Sequence, residues 1–114
     1  AHLARYSLRL DGFVSVHAAY EGGVMLTKPF RFEGREMEIN YESSAAGELR
    51  IELQDLDGNP IPGYTAESCR PVFGNDIERI VKWENGSDVS SLAGKPVRMR
   101  IVMSDADLYS FRFR

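Results

Sequence analysis

Apolar and basic residues alternate at period two near the end of this 114-residue chain, and that pattern limits the fold more than any other feature. Val97-Arg98-Met99-Arg100-Ile101-Val102-Met103 is one such run, and Leu108-Tyr109-Ser110-Phe111-Arg112-Phe113 is a second. Side chains alternate faces along a strand, so each run offers one side to a core and the other to water. Ser104-Asp105-Ala106-Asp107 separates the runs and predicts a turn, which makes them the closing hairpin of an antiparallel sandwich. Just upstream, residues 88–96 predict a tight polar corner. There the Asp88 carboxylate caps exposed backbone N–H groups, Leu92 plugs the turn, and Gly94 takes the positive φ that ends it.

The rest of the chain repeats the strand pattern between turn signals. Tyr6, Leu8 and Leu10 alternate with Ser7 and Arg9, and Asp11-Gly12 then turns the chain into a second strand over 13–18. Glu21-Gly22-Gly23 is a loop before a strand over 24–27, and Pro29 interrupts ahead of Phe30-Arg31-Phe32. Met37, Ile39 and Tyr41 alternate with Glu38, Asn40 and Glu42, while Leu49, Ile51 and Leu53 alternate with Arg50, Glu52 and Gln54. The small residues 43–47 between these runs predict a loop, and Asp57-Gly58 is a hairpin signal. Pro60 and Pro62 lack the ladder donor, so no central strand continues there. Residues 64–76 hold no period and predict a long excursion with one helical turn at Ala66-Glu67-Ser68-Cys69, after which 77–83 is strand again. Turn signals spaced about every 8 to 12 residues suit a sandwich or barrel. The expected fold is all-β: an antiparallel two-sheet β-sandwich, jelly-roll-like, of about eight to nine strands. It is expected to form one domain over 1–114, excised from a longer multidomain chain.

Charge and residue inventory narrow the function. The 17 acids and 14 bases give a net charge of −3 and are mixed along the chain, which argues against nucleic acid or an anionic membrane as partner. No apolar run is long enough to span a bilayer, and the first residues do not read as a signal peptide. Cys69 is the only cysteine, so an internal disulfide is impossible. His2, His17 and Cys69 offer neither a nucleophile-base arrangement nor zinc-ligand spacing. Gly22-Gly23 is a lone pair rather than a phosphate loop. A glycosidase needs two opposed carboxylates, and 17 acids single out no pair. No catalytic residue is assigned, and the chain is expected not to be an enzyme.

Three kinds of site remain. Asp11, Asp105 and Asp107 stand at strand ends, and carboxylates with loop carbonyls suit a hard cation, so a structural calcium site is one expectation. The other reading of Asp105 and Asp107 is that they stabilise the last hairpin. Carbohydrate binding needs aromatic faces for stacking and planar polar groups for hydroxyls. Trp83, Tyr64 and Tyr20 are the candidate platforms, with Asn85, Arg79 and Asn40 as hydroxyl partners; taken singly, each of the aromatics is more often a packing residue. A charged face carrying Glu38, Asn40, Glu42, Arg50, Glu52, Gln54, Arg98 and Arg100 reads as a solvated sheet or a contact with a neighbouring domain.

Several segments, taken together, resemble a known kind of module. They are residues 8–15, Thr27-Lys28-Pro29-Phe30, Ser44-Ala45-Ala46-Gly47, residues 57–63, and the closing stretches 83–89, 93–98 and 105–111. The set resembles the C-terminal β-sandwich of bacterial proteins built on a five-bladed-propeller glycoside hydrolase of the levanase, invertase or arabinanase kind. The resemblance covers nearly the whole chain, and its motifs are mostly turns and closing strands. It implies a noncatalytic carbohydrate-binding module that holds the parent enzyme on polysaccharide, or a structural accessory domain that docks on the propeller. It further implies a secreted or periplasmic location and, as partners, a polysaccharide or oligosaccharide and the catalytic domain of the parent chain. The propeller's catalytic acids lie in the other domain, so none transfers to this chain.

Overall fold

A computed structural model of the chain describes residues 4–10, 14–21, 23–72 and 75–114, with the side chains of 4–21, 44–46, 75–78 and 107 outside the description. The described fold is all-β. Six strands, β1 (Ala4–Leu10), β2 (Val14–Glu21), β3 (Val24–Thr27), β4 (Met37–Gln54), β5 (Asn75–Ile80) and β6 (Arg98–Phe113), form one antiparallel sheet in the order β1-β2-β3-β6-β4-β5. β1 also comes close to β6, although β2 and β3 stand between them, so the sheet curls.

The β4–β6 ribbon is the centre of the fold and corrects two expectations. The runs 97–103 and 108–113 are not a hairpin: they are halves of the single 16-residue strand β6. Likewise residues 43–47 are not a loop, because β4 runs unbroken through them for 18 residues. Each half of β6 pairs with a half of β4, Arg98 to Ser104 with Gln54 to Glu48 and Ala106 to Phe113 with Ser43 to Met37. The two polar, small-residue stretches lie at the same level of the ribbon. There residues 44–47 stand against Asp105 alone, and Asp105 adopts φ 52°. What reads as two turns is one shared bulge. Gly47 is required there, since a Cβ would sit 2.3 Å from the Asp105 carbonyl oxygen and 2.7 Å from that of Ser104.

A second irregularity inverts the face of β6. Asn40 pairs with Ser110 and Tyr41 with Leu108, which leaves Tyr109 as an extra residue. A bulge of this kind shifts the alternation by one. Leu108 and Phe111 can therefore both be buried while Tyr109 is exposed. The core gathers Met37, Ile39 and Tyr41 from one half of β4, Leu49, Ile51 and Leu53 from the other, and Met99, Ile101 and Met103 from β6. Phe32 stacks on Phe113 at 3.9 Å between ring centroids, with Phe30 tilted against Phe111 and Phe113.

The outward face is tied together by charge across the ribbon. Glu38 is opposite Arg112 and Glu52 is opposite Arg100, the cross-strand placement in which opposite charges stabilise a sheet. Glu38 is buried, and its carboxylate accepts from Arg112 Nε at 2.7 Å and from Arg114. Burial works to raise its pKa, but the hydrogen bonds and charges of Arg112 and Arg114 together outweigh burial and hold it below the ordinary value of 4.5.

Two measurements check this layout. Gly47→Ala should lower the unfolding free energy by about 3 kcal/mol, because two backbone carbonyls must move to admit the methyl group. A urea midpoint like that of the wild type would remove the close approach. A depressed native pKa makes Glu38 contribute stability above the unfolded-state value, and that contribution is lost as pH falls through the native value. Wild type should therefore exceed Glu38→Gln in urea midpoint at neutral pH. The gap should narrow as pH falls below the ordinary value of 4.5 and close once pH is under the lowered native value, where the carboxyl is protonated in both states.

Candidate functional site

The excursion after β4 seals the outer edge of that strand, and this seal decides where the candidate residues go. Three alternate residues of β4 turn their peptide groups outward. Leu49 exchanges two backbone hydrogen bonds with Val72, at 2.8 and 2.9 Å. Leu53 donates to the Tyr64 carbonyl and accepts from Ile61 N–H, both at 2.9 Å. Between them Ile51 meets side chains instead of backbone. Its N–H donates to Cys69 Sγ at 3.3 Å, and its carbonyl accepts from Trp83 Nε1 at 2.9 Å. Cys69 and Trp83 face each other across a short ladder closed by Arg70 N–H to Lys82 O and Glu84 N–H to Ser68 O. The single helical turn expected at Ala66 to Cys69 is present, with Cys69 N–H donating to Thr65 O at 3.0 Å.

Trp83 is therefore a core residue: it is 0% exposed, and its one donor is already engaged. The expectation that it stacks on a sugar is corrected by that burial. Tyr64 packs edge-on against it, 5.3 Å between centroids, and donates its hydroxyl to the Asp88 carbonyl at 2.8 Å. Asn85 is exposed in the tight Trp83-to-Gly86 turn, its amide nitrogen beside Gly63. The structure thus brings Trp83, Tyr64 and Asn85 together, but as a packed cluster with one half-buried tyrosine at its rim. Asn40 is elsewhere, half-buried on β4 opposite Ser110. The Tyr20 side chain lies outside the described residues.

The acidic candidates do not assemble within what is described. Asp11 and the Asp107 side chain lie outside the described residues, and Asp105 is exposed at the β6 bulge. Among the described residues no three His, Cys, Asp or Glu side chains converge on a point that could hold a metal. The Asp88 corner behaves as its sequence predicts. Its carboxylate accepts from Ser90 N–H at 2.9 Å, and hydrogen bonds from the Ser90 side chain and backbone lower its pKa; the short 3-10 turn Ser90–Leu92 follows, with Leu92 buried and Gly94 at φ 79°. Burial raises the Cys69 thiol pKa above its ordinary value, although the Ile51 N–H and the charge of Arg50 work to lower it, so burial favours the neutral thiol.

Arg79 belongs to a different feature. It lies opposite Ile39, on the core side of the sheet, but β5 is the edge strand and its side chain reaches solvent. There it helps line a cleft of about 520 Å³ with Glu36, Arg70, Val72, Ile80 and Lys82. That volume falls within the range of small-ligand sites. Arg70 and Lys82 were invisible as a pair in the sequence, because the excursion has no period from which to set their register. A signal did exist: alternation from the apolar Cys69 and Trp83 turns their neighbours Arg70 and Lys82 to the opposite side.

No protein-family model, curated protein or solved structure matches this chain.

Burial of the only tryptophan gives a direct check. Its fluorescence should be shielded from iodide until the protein unfolds. Trp83→Phe, which removes the indole donor and leaves the Ile51 carbonyl unpaired, should cost about 1–3 kcal/mol. Trp83→Ala should cost about 3–5 kcal/mol. Full iodide access in the native state, or a neutral Trp83→Ala, would contradict the placement.

Proposed function

We propose that this chain is a noncatalytic carbohydrate-binding module, a jelly-roll-like two-sheet sandwich of about eight to nine strands that targets an appended glycoside hydrolase to polysaccharide. The observation that carries the reading is the open cleft beside β5, lined by Arg79 and Lys82 as hydrogen-bond donors together with the apolar Val72 and Ile80. Polar groups beside apolar surface suit a sugar, which offers hydroxyls at its rim and C–H groups on its ring faces. Hydrolysis of a glycosidic bond takes two opposed carboxyl groups. Among its described lining the cleft has one, Glu36, which already accepts the Ser87 hydroxyl at 2.9 Å. The likeness of the turns and closing strands to modules beside propeller hydrolases adds the setting: a secreted or periplasmic bacterial enzyme of which this is one part.

A second reading has its own supporting observation. A structural accessory sandwich that docks on a propeller needs no stacking aromatic, and here Trp83 is buried and Tyr64 has its hydroxyl engaged. Tyr109, 53% exposed at the bulge of β6, is then the natural contact residue. Affinity electrophoresis of the chain against a polysaccharide panel, with and without calcium, separates the two. Retardation by one glycan class supports the binding module, and its dependence on calcium supports a structural cation at Asp11, Asp105 and Asp107. Uniform mobility in every gel supports the docking domain.

A further inference from the structure

The lining of the cleft is inverted in charge relative to the molecule. The protein carries a net charge of −3, yet Arg70, Arg79 and Lys82 meet only the carboxylate of Glu36 among the described lining. Arg70 and Lys82 are direct neighbours across the Cys69–Trp83 ladder, joined by the Arg70 N–H to Lys82 O bond of 2.8 Å. Like charges opposite one another destabilise a strand pair. Elsewhere on this sheet the equivalent positions hold opposite charges, Glu38 with Arg112 and Glu52 with Arg100. Among the described residues no ion pair neutralises Arg70, Arg79 or Lys82.

The backbone beneath these cations is well fixed. Trp83 is anchored to Ile51, Val81 N–H donates to Met37 O at 2.9 Å, and Glu84 N–H donates to Ser68 O. Three cations line one cleft with Val72 and Ile80, so donors for an oxyanion and apolar surface for the ring that bears it share that cleft. Arginine's planar fork matches a carboxylate or sulfate with two parallel hydrogen bonds. Glu36, at the same cleft, supplies an acceptor for a neighbouring hydroxyl. We propose that this cleft binds the oxyanion of an acidic saccharide, a carboxylate or sulfate ester, held by Arg70, Arg79 and Lys82. The saccharide part of this assignment rests on the carbohydrate-binding reading above; the oxyanion part rests on the unpaired cations.

The test is affinity electrophoresis at low ionic strength with polygalacturonate and a sulfated galactan as acidic probes, and levan and arabinan as neutral ones. An acidic probe should retard the wild type, and which of the two does so distinguishes carboxylate from sulfate. Arg79→Gln with Lys82→Gln should weaken that binding about tenfold or more, as expected for losing two charge-assisted contacts. The melting temperature should not move, because both side chains are exposed. Lys28→Gln with Lys95→Gln, equal in charge but outside the cleft, should leave binding within about twofold. Equal losses in the two double variants would reduce the effect to bulk charge and overturn the proposal. So would the absence of retardation by either acidic probe. Retardation by a neutral glycan alone would overturn the oxyanion assignment and leave carbohydrate binding standing; retardation by no probe would remove both.

Discussion

The peptide group of Ile51 is the point on which the rest of this structure depends. β4 must run at the centre of the sheet, and a central strand needs hydrogen-bond partners on both edges. β6 supplies one edge on both sides of the bulge at 44–47. On the other edge the irregular segment after the Asp57-Gly58 turn reaches Leu53 and Leu49 with its backbone but cannot also reach Ile51. Cys69 Sγ and Trp83 Nε1 fill that gap. Leaving both groups of a buried peptide unpaired would cost about 1–3 kcal/mol each. The same device recurs on β6, where the Thr27 hydroxyl accepts Met99 N–H at 2.9 Å just before Lys28-Pro29 takes the chain off the sheet.

That arrangement gives a structural role to the only cysteine, in an aperiodic stretch of sequence, and to the only tryptophan, at the end of the strand signal that follows it. An indole has a single donor, and once that donor is committed to a buried carbonyl the ring is fixed in the core. The residues beside it are then fixed outward. Lys82 and Arg70 face the cleft because Trp83 and Cys69 face Ile51. Fold and candidate site share one ladder, so the cations that form the cleft inherit their positions from the packing of the tryptophan.

Strand periodicity was legible in the sequence to the level of faces, not of connections. Met37, Ile39, Tyr41, Leu49, Ile51 and Leu53 are buried as their alternation predicts, and the Asp88 corner closes by the bonds its residues imply. The connections at 43–47 and 104–107 were misread because small and polar residues serve turns and bulges alike. Only the partner strand tells them apart, and here the two stretches lie against each other. Trp83 carried two readings for the same reason. Adjacent Ile80 and Val81 argue for opposite registers, and which side meets a core depends on Ile51, 32 residues from Trp83 in sequence. Arg79 was singled out from the sequence, whereas Arg70 and Lys82 needed the ladder.

The central claim is that tryptophan serves the fold while recognition belongs to the basic cleft. Amide and indole resonances of the isotopically labelled protein, followed while an oligogalacturonate or a sulfated galactan oligosaccharide is added, test both halves at once. The account predicts that shifts concentrate at Arg70, Arg79, Ile80 and Lys82 while the Trp83 indole signal moves little. Largest shifts at the indole of Trp83, Tyr64 and Asn85, with the cleft unmoved, would contradict it.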